Sequence, residues 1–341
     1  MRPLRLSLLL ACALPLAACS RPTTTDCPPS ASQSAEPVAP EPEAEPEPEA
    51  EPTPSKAEAL TVKADDGHEL RLWVINPATS EGPDEGRAVV LLHGRTWSGL
   101  PDFDLRVGED ADLSLMDQLA RRGITAYALD MRGYGGTERD ASGWLEPDRA
   151  AADLAASLAF VAERHGGAAP DLVGWSMGAL VALLTVQTTP DAARSVVLYG
   201  YPRDVDGRAA VAEGEAEAEP PRKPNTREAA ASDFITEGTI SDEAIEAYVD
   251  ASLAADPVRV DWRAMHQFNV LDPAKVSLPT LVIHGKHDPI ARQLWQAKLF
   301  TRLESEDRRW IMVPNGDHAA HLEHPELFVR ALLDFWGLPL P

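Results

Sequence analysis

The sequence predicts an α/β protein: a mostly parallel sheet with helices on both faces, an antiparallel hairpin at its start and a helical insertion late in the chain. Three observations predict it. Strand-length apolar runs alternate with helix-length stretches between about residues 87 and 200, and parallel neighbours need crossover connections of that length. The run at 87–92 is almost wholly apolar, as befits a strand buried on both faces. Finally, Asp171-Leu-Val-Gly-Trp-Ser-Met-Gly-Ala-Leu180 sets a serine at a tight turn between an apolar strand and an apolar helix.

In chain order, residues 60–63 and 70–75 are strand-like, and Asp65-Asp66-Gly67 supplies turn chemistry between them, which predicts a hairpin. The strand at 87–92 runs into His93-Gly94-Arg95-Thr96-Trp97-Ser98-Gly99. Residues 113–122 read as an amphipathic helix ended by Gly123. A strand at 124–129 leads into Asp130-Met131-Arg132-Gly133-Tyr134-Gly135-Gly136. There the glycines permit a tight loop, and Asp130 is expected to pair locally with Arg132. Pro147-Asp148 opens an alanine-rich helix to His165. Strands at 171–173 and 195–199 flank a helix over 179–187.

The alternation breaks over 202–276. Residues 209–224 are acidic and rich in alanine, with prolines at 220, 221 and 224. Helices are expected over 226–235, 241–255 (capped by Ser241) and 261–268, with no strand signal. Strands then lead into His284-Gly285-Lys286-His287-Asp288 and into Asn315-Gly316-Asp317-His318, and a closing helix runs from about His324 to Trp336.

Gly174-Trp175-Ser176-Met177-Gly178 fits G-x-S-x-G. A Cβ at either glycine would clash in so sharp a turn. Strand, turn and helix together resemble the nucleophile elbow of the α/β-hydrolase family, and the resemblance extends from about residue 60 to the end of the chain. It implies roles for later residues. Asp288, in the loop after one strand, matches the family's acid. His318, after the last strand, matches its base, with His321 and His324 as competitors. The order Ser176, Asp288, His318 is that of α/β-hydrolases. The His93-Gly94 loop matches the family's oxyanion loop, which implies backbone N–H donors at Met177 and at Arg95, with Thr96 as the close alternative for the second. His93 is read as a loop stabiliser. The insertion at 202–276 matches a cap. Its Phe234, Tyr248, Trp262, Met265 and Phe268 either line a pocket or bury the cap against the core.

The resemblance implies acyl transfer to water through an acyl-enzyme on Ser176, a small-molecule ester as substrate, and activity that rises as His318 loses its proton. No cofactor and no metal is expected. His284-x-x-His287-Asp288 has a metal-like spacing, but the loop position already gives Asp288 a role. Amidases, peptidases, C–C hydrolases and cofactor-free haloperoxidases share the resemblance. An inactive binding protein of the cell envelope on the same fold is the rival from another class. The serine argues against the family's epoxide hydrolases and dehalogenases, which use aspartate there.

The ends of the chain carry a different signal. Residues 1–18 hold Arg2, Arg5 and a short apolar run, and Leu16-Ala17-Ala18-Cys19 follows. The run is too short to span a bilayer. The box resembles that of bacterial lipoproteins, which implies cleavage before Cys19, a lipid anchor on it and, with Ser20 next, the outer membrane. An ordinary secretory signal is the alternative. Residues 19–56 read as a linker. Seven glutamates fall between residues 36 and 51 among prolines and alanines, a composition that extends and does not fold. The hydrolase-like domain is 57–341. Cys27 is the one cysteine left after Cys12 and Cys19, so no disulfide is expected inside the domain. The net charge of −23 argues against a nucleic-acid partner.

Overall fold

The computed structural model describes residues 56–78, 86–211 and 218–340. The expected signal segment and almost all of the linker lie outside these residues. Strands β1 (Glu58–Lys63) and β2 (Glu69–Ile75) form the expected hairpin, and β2 also pairs antiparallel with β4 (Ile124–Asp130). The remaining neighbours of the main sheet are parallel: β3 (Arg87–Leu92), β6 (Asp171–Trp175), β7 (Ser195–Tyr199), β9 (Thr280–Gly285) and β10 (Arg308–Val313). Among the described residues the sheet has eight strands, in the order β1-β2-β4-β3-β6-β7-β9-β10. Parallel register brings the carboxyl ends of β3, β4, β6, β7, β9 and β10 to one edge, where ligands bind in such folds. A further two-stranded sheet joins β5 (Trp144–Leu145) to β8 (Asp261–Trp262).

The helices cover both faces. Between β3 and β4 lie α1 (Gly99–Phe103) and α2 (Leu115–Ala120). The latter is shorter than expected and wholly buried: Asp117 pairs with Arg121 at 2.6 Å, and Gln118 Nε2 donates to the Asp112 carbonyl at 2.6 Å. Helix α3 (Pro147–Arg164) precedes β6, and α4 (Met177–Thr188) follows it. From Met177 to Val186 every residue of α4 is buried, as expected of a helix apolar all round. Helix α7 (Gln293–Arg302) lies between β9 and β10, and α8 (Ala320–Glu323) and α9 (Pro325–Phe335) close the chain.

The insertion between β7 and β9 carries α5 (Arg227–Ala231) and α6 (Asp242–Ala255). Ser241 caps α6 as expected, accepting from the Ala244 N–H at 3.2 Å. Two expectations fail here. The helix expected to reach 235 stops at Ala231, and the N–H groups of Ile235 and Thr236 donate instead to Asp317 at 2.9 and 2.7 Å. The helix expected over 261–268 is replaced by β8, a left-handed Ala264 (φ 54°) and a 3₁₀ turn at Met265–Val270. A two-residue strand has no alternation to read. The insertion's aromatic residues bury it against the body. Tyr248 packs in one buried cluster with Trp97, Leu105 and Leu322, with Phe234 against it. Trp262 and Phe268 join the main core, with Met265 against it.

The expected pair of Asp130 with Arg132 is also absent. Asp130 is buried and accepts from Gly99 N, Gly136 N and Trp73 Nε1, each at 2.8 Å. Three N–H donors leave it no need of a cation. Arg132 instead grips Asp153 of α3 at 2.7 and 2.9 Å and Asp66 of the hairpin turn at 2.7 Å.

Candidate active site

Ser176 sits between β6 and α4 with φ 53° and ψ −116°, a strained conformation for a residue with a Cβ. Its N–H donates to the Tyr199 carbonyl at 2.8 Å, which ties the turn to β7. The flanking glycines are required by contact. A Cβ on Gly174 would lie 2.4 Å from the Gly178 carbonyl oxygen, and one on Gly178 would lie 2.4 Å from the Leu92 carbonyl oxygen.

Asp288 and His318 come from the ends of β9 and β10. The Asp288 carboxylate accepts from Ile290 N (2.8 Å) and Ala291 N (2.7 Å) on one oxygen, and from His318 Nδ1 (2.8 Å) on the other. With Nδ1 donating to a carboxylate, a neutral His318 ring has a proton-free Nε2. Among the described residues, Asp288, His284 and His287 do not gather their ligand atoms into one cluster. The His318 carbonyl accepts from Trp175 Nε1 at 2.9 Å and from the Tyr199 hydroxyl at 2.8 Å, so the residue before the serine helps to hold the histidine's backbone.

The competing histidines are placed elsewhere. His321 is buried, its Nε2 donates to the Asp102 carbonyl at 2.7 Å, and its Nδ1 lies 3.1 Å from the Tyr199 hydroxyl. Burial holds its pKa down at about 4. His324 is the residue before α9. His93 stabilises its loop, as expected. Met131 N–H donates to its Nε2 at 3.0 Å, so Nδ1 carries the proton given to the Gly94 carbonyl at 2.9 Å.

A cavity of about 250 Å³ is lined by Ser176, Met177, His318, Gly94, Arg95 and Thr96, among others. The Arg95 side chain is exposed. Met177 is the first residue of α4, so its N–H has no partner within the helix.

A model of the family described as serine aminopeptidase, S33 (Hydrolase_4) matches residues 111–325. The chain belongs to this family. It is a serine hydrolase of the α/β-hydrolase fold. The hydrolase is similar to the serine hydrolase BPHL of Mus musculus, 26% identical over 267 residues that make up 73% of this chain and 78% of BPHL. It is 26% identical to BPHL of Homo sapiens over 277 residues, 75% and 80% of the two chains. Among solved structures, it resembles a thermophilic esterase from Thermogutta terrifontis (TM-score 0.61, 20% identity, 83% of this chain and 98% of the esterase). It also resembles a serine hydrolase involved in carbazole degradation (TM-score 0.57, 21% identity, 83% and 100%). These two likenesses show the fold.

Two acidic residues of the hydrolase that sequence reasoning passed over line the same cavity: Asp102 from α1 and Asp233 just after α5. The Tyr248 hydroxyl bridges them, 2.9 Å from Asp102 and 3.2 Å from Asp233. Trp97 Nε1 also donates to Asp233 at 2.8 Å. Among the described residues, neither carboxylate forms an ion pair. Burial, reinforced by the charge of Asp233, raises the Asp102 pKa well above the ordinary carboxylate range, and burial raises that of Asp233. One hydroxyl proton cannot serve two carboxylates at once. The two carboxyl groups thus lie side by side beside the nucleophile, without an ion-pair partner among the described residues. No spacing in the sequence joins these three residues.

Asp317 and Glu323 were passed over as well. The Asp317 carboxylate accepts the two insertion N–H groups noted above, while Glu323 accepts from Asp317 N at 2.7 Å and from Thr239 Oγ1 at 2.5 Å. Together they fasten the insertion to the loop that carries His318.

Proposed function

We propose that the protein hydrolyses carboxylic esters through Ser176, His318 and Asp288. The observation that carries this reading is the meeting, at one cavity, of a serine in a strained elbow and a histidine whose Nδ1 is held by a carboxylate that two amides fix in place. His318 Nε2 takes the proton as Ser176 Oγ bonds to the ester carbonyl carbon. The oxygen gains negative charge, and the N–H groups of Met177 and Arg95 are the donors proposed for it. The C–O bond to the alcohol then breaks as His318 returns the proton to the leaving oxygen. Water attacks the acyl-enzyme by the same route, releasing acid and free serine.

The test is fluorophosphonate labelling read by intact mass and peptide mapping, beside Ser176→Ala and His318→Ala. One adduct on Ser176, much slower without His318, is expected. A folded protein that takes no adduct sinks the reading and leaves the binding-protein alternative.

A narrower reading is favoured by the carboxylates Asp102 and Asp233. A cationic group of the substrate, such as a free amine near the scissile carbonyl, is the partner that draws them into their ionised form. On this reading amine-bearing esters and amino-terminal amides are preferred substrates, in keeping with the description of the family as aminopeptidases.

Export and anchoring complete the proposal. Cys19 carries the lipid, residues 19–56 tether the domain, and the enzyme works in the cell envelope, at the outer membrane. Cys19→Ser should move the protein from the membrane to the soluble fraction of expressing cells. An unchanged membrane fraction rejects the anchor.

A further inference from the structure

The loop that supplies the proposed oxyanion donors is held from behind by two rings. In a trans peptide the C=O and N–H point in opposite directions, so a bond to one aims the other. His93 Nδ1 holds the Gly94 carbonyl, which aims the Arg95 N–H. The Tyr134 hydroxyl donates to the Arg95 carbonyl, which aims the Thr96 N–H and fixes the far side of residue 95. The two rings pack on each other with centroids 4.6 Å apart. Tyr134 is buried, and its hydroxyl accepts from Trp262 Nε1 of the insertion at 2.8 Å. Asp256, also of the insertion, ties the same two loops together. It accepts from Ser98 N and from Gly135 N, each at 2.8 Å.

We propose that Tyr134 is a positioning residue for the oxyanion hole, and that the insertion sets its hydroxyl through Trp262. The chain of bonds runs Trp262 Nε1–H to Tyr134 Oη, then Tyr134 O–H to the Arg95 carbonyl. Accepting from the indole polarises the hydroxyl and strengthens the bond it donates. A displaced insertion therefore loosens the loop without touching Ser176, His318 or Asp288. The inference rests on the serine-hydrolase reading above, because it needs charge to develop beside the 94–96 loop.

The test compares Tyr134→Phe, Trp262→Phe and the double variant in the full chain, with Ser176→Ala as control. The probes are a p-nitrophenyl ester and a phenylboronic acid that forms a tetrahedral adduct on the serine. Removing a whole oxyanion donor costs about a hundredfold or more in kcat, so loosening one is expected to cost about tenfold in Tyr134→Phe. KM should stay within about twofold and boronate affinity should fall by the same factor as kcat, the signature of an interaction made only with the tetrahedral state. Trp262→Phe should show a smaller loss of the same kind. The double variant should be no slower than Tyr134→Phe, since both act through one hydroxyl.

Tyr134→Phe also strands the indole N–H, and the double variant removes that burden, so melting temperature should recover in the double variant while kcat does not. If kcat instead follows melting temperature, or if the kcat losses add, Tyr134 only supports the fold and the inference is overturned. If Tyr134→Phe does not fold, Trp262→Phe decides. Unchanged kcat and boronate affinity there reject the inference. Hydrolysis that survives Ser176→Ala removes the serine reading and the inference with it. Hydrolysis lost in Ser176→Ala but kept at full rate and full boronate affinity in Tyr134→Phe rejects the inference alone.

Discussion

Asp288 holds His318 with one carboxylate oxygen, 2.8 Å from Nδ1, while its other oxygen is fixed by the amides of Ile290 and Ala291. The arrangement decides which ring nitrogen carries the proton. In Asp288→Asn the side-chain oxygen can keep the two amides, and its NH₂ then faces Nδ1. The proton moves to Nε2, which can no longer receive one from serine. By analogy with serine triads, kcat should fall about a thousandfold to ten-thousandfold with little change in melting temperature. Full activity in the asparagine variant would remove Asp288 from the proposed mechanism.

The elbow gives a second, purely steric expectation. A methyl group on Gly178 would meet the Leu92 carbonyl oxygen at 2.4 Å, and that oxygen belongs to a central strand. Neither partner is a flexible side-chain end. Gly178→Ala should therefore destabilise the domain by about 1–3 kcal/mol, the usual cost of overpacking, and slow labelling of Ser176 in whatever remains folded. Urea unfolding with a wild-type midpoint would show that the turn yields more easily than its contacts suggest.

The sequence carried the strands of the main sheet, the elbow and the loops that hold Asp288 and His318 because each depends on local order: an apolar run, then a loop. Glycine sharpened the signal at the turn, where only a missing Cβ fits. The rest depends on distance in the chain. Tyr134 and Trp262 meet across 128 positions, and Tyr248 reaches Asp102 across 146. No periodicity encodes such pairs. Asp130 and Arg132 failed for the opposite reason. Nearness in sequence suggested a pair, but three N–H donors had already filled Asp130, and Arg132 was drawn to Asp153 and Asp66. The early end of α5 has the same logic, because the N–H groups beyond it serve Asp317.

Glu323 gives the fold a pH dependence of definite sign. Burial raises its pKa to about 7, with the charge of Asp317 adding to the effect. In the unfolded chain the group ionises in the ordinary range, about 4.3. Between these values the folded state holds a proton that the unfolded state has lost. Its contribution to stability is thus present below the ordinary carboxylate range and is lost as pH rises through about 7. His93 and His321 act oppositely. Burial lowers both to about 4, so their contribution holds above the ordinary imidazole range and is lost as pH falls through about 4. Glu323→Gln keeps an acceptor for the Asp317 N–H and cannot ionise. It should match wild type near pH 5 and melt about 2–4 °C higher near pH 8, the shift expected from a modest gain in a domain of this size. Parallel melting curves for the two proteins across this range would place the ionisation elsewhere.

The carboxylates beside Ser176 make the sharpest claim about substrate. Asp102 is buried behind the Gly94 N–H (3.4 Å), whereas Asp233 belongs to the insertion and is only partly buried, so it is the one a ligand can reach with least rearrangement. Asp233→Asn keeps an acceptor for Trp97 Nε1 and removes one charge. If the pair receives a substrate amine, an interaction of about 2 kcal/mol is lost, and kcat/KM for an aminoacyl ester should fall about thirtyfold. A neutral acyl ester of the same length should change by less than about threefold, because its transition state makes no use of that charge. The comparison within one variant cancels any general damage to the site. A wild-type enzyme that treats the two esters alike, or a variant that slows both equally, would leave the acidic pair as scaffolding around Tyr248 and return the substrate class to plain esters.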